Sequence, residues 1–237
     1  THVSSTCKGE AFLPHARRVL KAHDEALSSI AHPDLAGLIK VGFPDELSMC
    51  FIPEILSIFA RHYPLVQVNV HSDSGQVLLD KVGRGELDLF INTSIHTIPG
   101  CEVFARTPLL WVATKSYACC MEPPLPLAMF NPGCTYREYS LRALDKASIP
   151  YRIAYSSPSL AGIHGAVSGG MAASALFQAS FPPGAISLGE EHGLPPLPMV
   201  NIYLVRGRTM NPIADCFWDI TREVISQDRT MGPVETG

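Results

Sequence analysis

No two cysteines in this sequence stand at the C-x-x-C spacing of a zinc site or a dithiol redox motif, although seven are present, at positions 7, 50, 101, 119, 120, 134 and 216. An odd number of scattered thiols fits a reducing compartment and argues against a disulfide framework. Positive charge is also scarce, with 18 Lys and Arg against 22 Asp and Glu and a net charge of −4. A surface that grips phosphates unaided is usually basic, so these residues are not expected to carry DNA contacts themselves. Long apolar runs are missing: nothing approaches the roughly 18 consecutive apolar residues of a membrane helix, and the opening THVSSTCKGE lacks the pattern of a secretory leader. A cytoplasmic location without membrane contact is the expectation. Catalytic signatures are absent as well. There is no G-x-G-x-x-G after a strand, no P-loop, no G-x-S-x-G and no H-E-x-x-H, and His62 and His71 have no partner at triad or metal-ligand spacing. No enzyme, no metal and no cofactor is expected. Asn92-Thr93-Ser94 matches a glycosylation sequon, which means nothing without an export signal.

What is present is ample core material, 46% hydrophobic residues in a chain of 237, arranged as alternating strands and helices. The stretch Leu35 to Asn92 opens with an apolar run (Ile39 to Phe43), passes Pro44 and two acids, and then shows helical spacing at Phe51, Ile52, Ile55, Leu56 and Phe59. Val66, Val68 and Val70 alternate as a strand; Leu78, Leu79 and Val82 group on a second helix; Leu87 to Ile91 closes the unit. Parallel neighbours need a crossover, so the alternation predicts a parallel sheet with helices packed on it. Val103 to Ala105 and Leu109 to Ala113 read as two further strands, and Tyr117 to Pro126 as a proline-rich crossing. The logic then repeats: strand Leu125 to Phe130, helix Tyr136 to Lys146, strand Tyr151 to Tyr155, helix Leu160 to Val167. Residues 181 to 198 read as loop, Val200 to Arg206 as strand, Pro212 to Ser226 as a closing helix, and the tail QDRTMGPVETG as disordered. At the start, Leu13, Ala16, Leu20, His23, Leu27 and Ile30 form one narrow apolar seam with polar flanks. Such a helix pairs with another helix or docks on its own domain.

The ordered words GLIKVGFP, FIPEIL, YPLVQVNV and GELDLFIN resemble the opening half of the effector-binding domain of LysR-type transcriptional regulators. The words PLAMF, the Cys134-Thr135-Tyr136-Arg137 element and AYSSPSLAGIHGAV resemble its second half, while Gly170-Met171-Ala172 departs from the family's Gly-hydrophobic-Gly. Gly9-Glu10-Ala11-Phe12-Leu13-Pro14-His15-Ala16-Arg17-Arg18-Val19-Leu20 is similar to the end of the family's DNA-binding wing and the start of its dimerising linker helix. The likeness covers residues 8 to about 225. It implies an α/β fold of two Rossmann-like subdomains joined by two crossover segments, like a type 2 periplasmic binding protein, preceded by a linker helix. The expected division is residues 1–32 for wing end and linker, 37–115 with 206–230 for one subdomain, and 116–205 for the other. The implied partners are a small-molecule effector, a homodimer or homotetramer, RNA polymerase, and promoter DNA contacted only through an N-terminal domain outside this sequence.

Open α/β sheets bind ligands beyond the carboxyl ends of their strands, where helix N-termini offer free N–H groups. The expected effector-binding residues are Pro44, Asp45, Glu46 and Ser48 after the first strand, and Ser74 and Gly75 after the second. In the second half they are Cys134, Thr135, Arg137, Ser156 and Ser159. Each has a plainer role beside this one. Ser48, Ser74 and Ser159 are good N-caps, and Asp45 and Glu46 complement a helix dipole. Arg137 near a helix start calls for a carboxylate, from the protein or from a ligand. Cys134 reads as a thiol sensor, its pKa lowered by a helix N-terminus, or as a packed and inert thiol. If Asp45 and Glu46 face the cleft, a neutral, hydroxylated or cationic effector is favoured over a carboxylate. Two rivals share the scaffold: a type 2 solute-binding protein of a transporter, and a deaminase-like or dehydratase-like enzyme.

Overall fold

The structure is a computed structural model that describes residues 35–231 except 97, 99, 100, 119, 120, 208–210 and 229, together with positions 6, 8, 9, 12, 15, 16, 18 and 19. The linker helix expected over residues 1–32 therefore falls largely outside the described residues. Of its seam only Ala16 is described, and that residue is helical.

The first lobe grows from β1 (Gly37–Phe43), whose inward residues Ile39, Val41 and Phe43 are fully buried. Helix α1 (Asp45–His62) returns the chain to β2 (Val66–Ser72), and α2 (Gly75–Gly83) returns it to β3 (Leu89–Ser94). β1 pairs in parallel with both strands, as crossover connections require. Gly42 is needed for this packing. A Cβ there would lie 2.7 Å from Phe90 Cβ and 3.0 Å from side-chain atoms of Leu78 and Leu87, so only glycine lets α2 and β3 close on β1. α1 buries Leu47, Phe51, Ile52, Ile55, Ile58 and Phe59, and Phe59 meets Phe217 of the closing helix α6 (Pro212–Gln227) at 5.1 Å between ring centroids. Asn211 starts α6 by accepting from the Ile213 amide and also donates to the Leu38 carbonyl, which fastens this helix to β1.

Strand β4 (Glu102–Thr114) connects the two lobes. Its residues up to Pro108 pair antiparallel with β9 (Met199–Arg206), which itself pairs with β3. From Leu109 onward β4 pairs instead with β7 (Ser174–Phe177) and β8 (Ala185–Leu188). After the short α3 (Lys115–Ala118), β5 (Leu125–Phe130) and β6 (Tyr151–Ser157) pair in parallel around α4 (Thr135–Lys146). A bridge from Leu127 to Ala173 sets β5 against the start of β7. α5 (Leu160–Ser168) covers β5 and β6. Trp111, fully buried, donates from Nε1 to the Pro195 carbonyl at 2.9 Å and so anchors the proline-rich return to β9.

Several local expectations are corrected. The two strands read over 103–113 are one. Pro108, which cannot donate to a ladder, lies between the two runs, where β4 changes partners. The stretch 181–198 is not all loop, since β8 lies within it; its four residues bury only Leu188 fully and leave no visible alternation. β7 was not anticipated, being four residues long and buried on both faces. The start of the tail is ordered: Met231 is buried in the core, and the Thr230 carbonyl accepts from the Thr107 hydroxyl at 3.2 Å. Residues 232–237 lie outside the described residues. No helix among the described residues is long and apolar enough to cross a membrane.

Candidate functional site

The carboxyl ends of β1, β2 and β3 in one lobe face that of β5 in the other across a cavity of about 680 Å³. Three helices begin on it. α1 starts at Pro44, whose carbonyl takes the amides of Leu47 and Ser48. α2 starts at Ser74 and α4 at Cys134, and in neither does the side chain of that residue cap the helix. First-turn N–H groups without an intrahelical partner thus border the cavity from three directions, each end bringing roughly half a positive charge.

Of the residues expected from sequence, Pro44, Asp45, Glu46, Ser74, Gly75, Cys134 and Thr135 line the cavity. Ser48, Arg137, Ser156 and Ser159 are not in its lining. Ser48 accepts from the Ser72 hydroxyl at 3.2 Å, and Ser159 caps α5 by accepting from the Ala161 amide. Arg137 meets a carbonyl and a hydroxyl where a carboxylate was anticipated: Nη1 donates to Phe130 O at 2.9 Å and reaches Ser156 Oγ at 3.4 Å. It braces the β5 end from behind.

Other lining residues escaped the sequence reading. Asn92, Thr93 and Ser94 continue β3 past its apolar part. A polar triplet ending a buried strand was the available signal, and it had been set aside as a sequon. Asn92 is pressed against the α2 start: a Cβ at Gly75 would lie 2.6 Å from Asn92 Oδ1. Gln76, Ile98 and Tyr136 also line the cavity, as do Asp73 and Asn131 at the carboxyl ends of β2 and β5, where ligand rims are expected.

The floor is where burial and charge conflict. Glu46 is 7% exposed, and burial pushes its pKa from 4.5 to about 7, against the opposing pull of its own backbone amide and of Tyr136. Tyr136, 2% exposed, carries a hydroxyl that is buried without a hydrogen-bond partner among the described residues. Its polar neighbours are Glu46 and Thr93, but neither meets it in bonding geometry. Burial, with the Glu46 charge adding, raises this phenol well above its ordinary value. The Cys134 thiol is likewise pushed up to about 12, by burial first and Glu46 second, so the lowering expected of a helix N-terminus is outweighed.

Three contacts join the lobes around the cavity. Asp45 Oδ2 accepts from the Leu160 amide at 2.6 Å, so a first-lobe carboxylate serves the N-terminus of a second-lobe helix. The Cys50 thiol donates to the Ala179 carbonyl at 3.3 Å, and the Tyr139 hydroxyl meets His96 Nε2. Among the described residues, no lysine, arginine or histidine lines the cavity and no group of three or more potential metal ligands occurs. Such an arrangement suits reversible capture of a small polar molecule.

Residues 32–226 match the family described as the LysR substrate binding domain. The chain is 31% identical over 199 residues to the HTH-type transcriptional regulator DgdR of Burkholderia cepacia, an alignment covering 84% of this chain and 68% of that protein. It is 28% identical over 198 residues to the HTH-type transcriptional regulator PecT of Dickeya dadantii, covering 84% of this chain and 63% of that one. Among solved structures, the CcmR regulatory domain of Synechocystis PCC6803 in complex with 2-PG matches with a TM-score of 0.62 at 19% identity, covering 81% of this chain and 98% of that one. This likeness is one of fold.

Proposed function

The chain belongs to the LysR substrate-binding-domain family, and from that premise we propose that the inter-lobe cavity captures a small-molecule effector whose presence resets the angle between the lobes. The observation that carries this reading is the cavity itself, about 680 Å³ between two lobes and bordered by three helix N-termini. Pro44, Asp45, Glu46, Ser74, Gly75, Cys134 and Thr135 would touch the effector, together with Asn92, Thr93 and Tyr136. Ser48, Arg137, Ser156 and Ser159 would hold the rims in place. The two lobes would turn about the point where β4 and β9 pass between them, at Pro108 and Met199.

In the whole protein, effector capture would be relayed through a homodimer or homotetramer to DNA-binding domains at a promoter, with RNA polymerase as a further partner. A cytoplasmic location follows from that role. The effector would be bound without being converted, a reading supported by relatives that are transcriptional regulators. A thermal-shift screen of metabolites tests the reading. A ligand at a hundred times its dissociation constant adds about 2.7 kcal/mol of stability, and incubation should return it unchanged. A screen that stabilises nothing, or a binder that occupies some other surface, would count against the cavity.

A further inference from the structure

Resting on the reading of the cavity as an effector site, we propose that its ligand is a small cation bearing a protonated amine, held against the Glu46 carboxylate, with Asp73 and the free Asp45 oxygen drawing it in and the Tyr136 hydroxyl bonded to it. The sign of charge comes from the lining. Three acidic residues, Asp45, Glu46 and Asp73, line the cavity, and among the described residues no basic side chain does. The helix N-termini of α1, α2 and α4 offset part of this, but at roughly half a charge each they reach only about +1.5 against as much as −3. Arg137, near the rim, is turned to the Phe130 carbonyl and the Ser156 hydroxyl.

Two of the acids already have one oxygen in use. Asp45 Oδ2 takes the Leu160 amide, and Asp73 Oδ1 takes the Ser74 amide at 2.8 Å. Glu46 is the most deeply placed of the three and lies beside the buried, unpartnered Tyr136 hydroxyl. A buried polar group left unpaired is costly, and a carboxyl out of water is costlier, so both call for a guest that supplies a charge and a hydrogen-bonding group together. An ammonium head does this and leaves Glu46 ionised. The titratable groups around Glu46 are Asp45 and Cys50 on α1, Cys134 at the α4 start, and Tyr136 on α4. Both thiols and the phenol are raised by burial, and Glu46, raised to about 7, changes charge near neutrality.

The test uses the full chain and three probes of one length and three charges: 1,4-diaminobutane, butane-1,4-diol and succinate, followed by amide NMR and calorimetry. The diamine should shift the amides of Ser74, Gly75, Thr93 and Tyr136 and bind about tenfold more tightly than the diol. Its affinity should rise about tenfold between about pH 6 and pH 8 as Glu46 ionises. Glu46→Gln should remove that pH dependence, whereas Asp73→Asn, at an exposed position, should weaken binding and preserve it. Succinate binding at these amides while the diamine does not overturns the charge assignment and leaves the effector reading standing. Diamine binding unchanged in Glu46→Gln overturns the role of that carboxylate. If none of the three probes moves the cavity amides, this inference falls, while the effector reading is decided by the metabolite screen.

Discussion

Replacing Glu46 by glutamine should stabilise the protein, and by an amount that grows with pH. In the unfolded chain Glu46 ionises near 4.5, whereas in the folded protein burial holds its proton until about 7. The folded state therefore binds this proton more tightly. The resulting stability is complete below about pH 4.5, falls as pH rises between the two values, and is gone above about 7. Each tenfold change in the protonation equilibrium is worth about 1.4 kcal/mol, so the displacement corresponds to about 3 kcal/mol. That is a large share of the roughly 5–15 kcal/mol that holds a typical domain folded. Glutamine keeps the size and hydrogen-bonding capacity of the protonated acid and cannot ionise. Urea unfolding of both proteins at intervals from about pH 4.5 to pH 8 should show curves that nearly coincide at the acid end and separate steadily, the variant ending about 3 kcal/mol higher. Parallel curves with a constant offset would refute the reasoning, because they would mean that Glu46 titrates alike folded and unfolded.

Other outcomes follow from the packing. Gly42→Ala should cost about 1–3 kcal/mol in thermal or urea unfolding, since the contact at 2.7 Å is with Phe90 Cβ, which cannot swing aside. Asn211→Ala should lower stability by about 1 kcal/mol or somewhat more, because it removes the α6 cap and the tie to the Leu38 carbonyl together. Cys50 and Cys134, both pushed up to about 12 by burial, should resist iodoacetamide at about pH 7.5 in the folded protein and react once it is unfolded in urea, as mass mapping would show.

The parts of the fold that sequence revealed are those where one face of an element is apolar and the other polar. β2 alternates through Val66, Val68 and Val70 because one side of this edge strand is packed and the other wet. α1 shows its buried stripe through Phe51, Ile55 and Phe59. β7 was illegible because its residues are all buried, and β8 because only one is fully so; neither state leaves a period in the letters. The site follows the same division. Rim positions at helix starts, such as Glu46, Ser74 and Thr135, were found because strand-turn-helix grammar marks them. Of those missed, Thr93 lies inside β3, where no turn marks it, and Tyr136, although second in α4 as Glu46 is second in α1, is an aromatic whose letter does not announce a site. Arg137 carried a signal that pointed to the wrong partner, since sequence announces a cation and cannot say that a backbone carbonyl will receive it.

The ladder between β4 and β9 shifts register once, between Val103 and Ala105, and then runs unbroken from Ala105 to Pro108, where the chain passes from one half to the other. Two neighbouring ribbons laced in this way resist sliding past one another, because any slip of one residue would tear every rung and reverse the side chains on both. What remains soft is torsion, the wringing of a strap whose ends are clamped. A message sent from the pocket to the rest of the molecule is therefore best measured as a turn of one half against the other, not as a gap that widens.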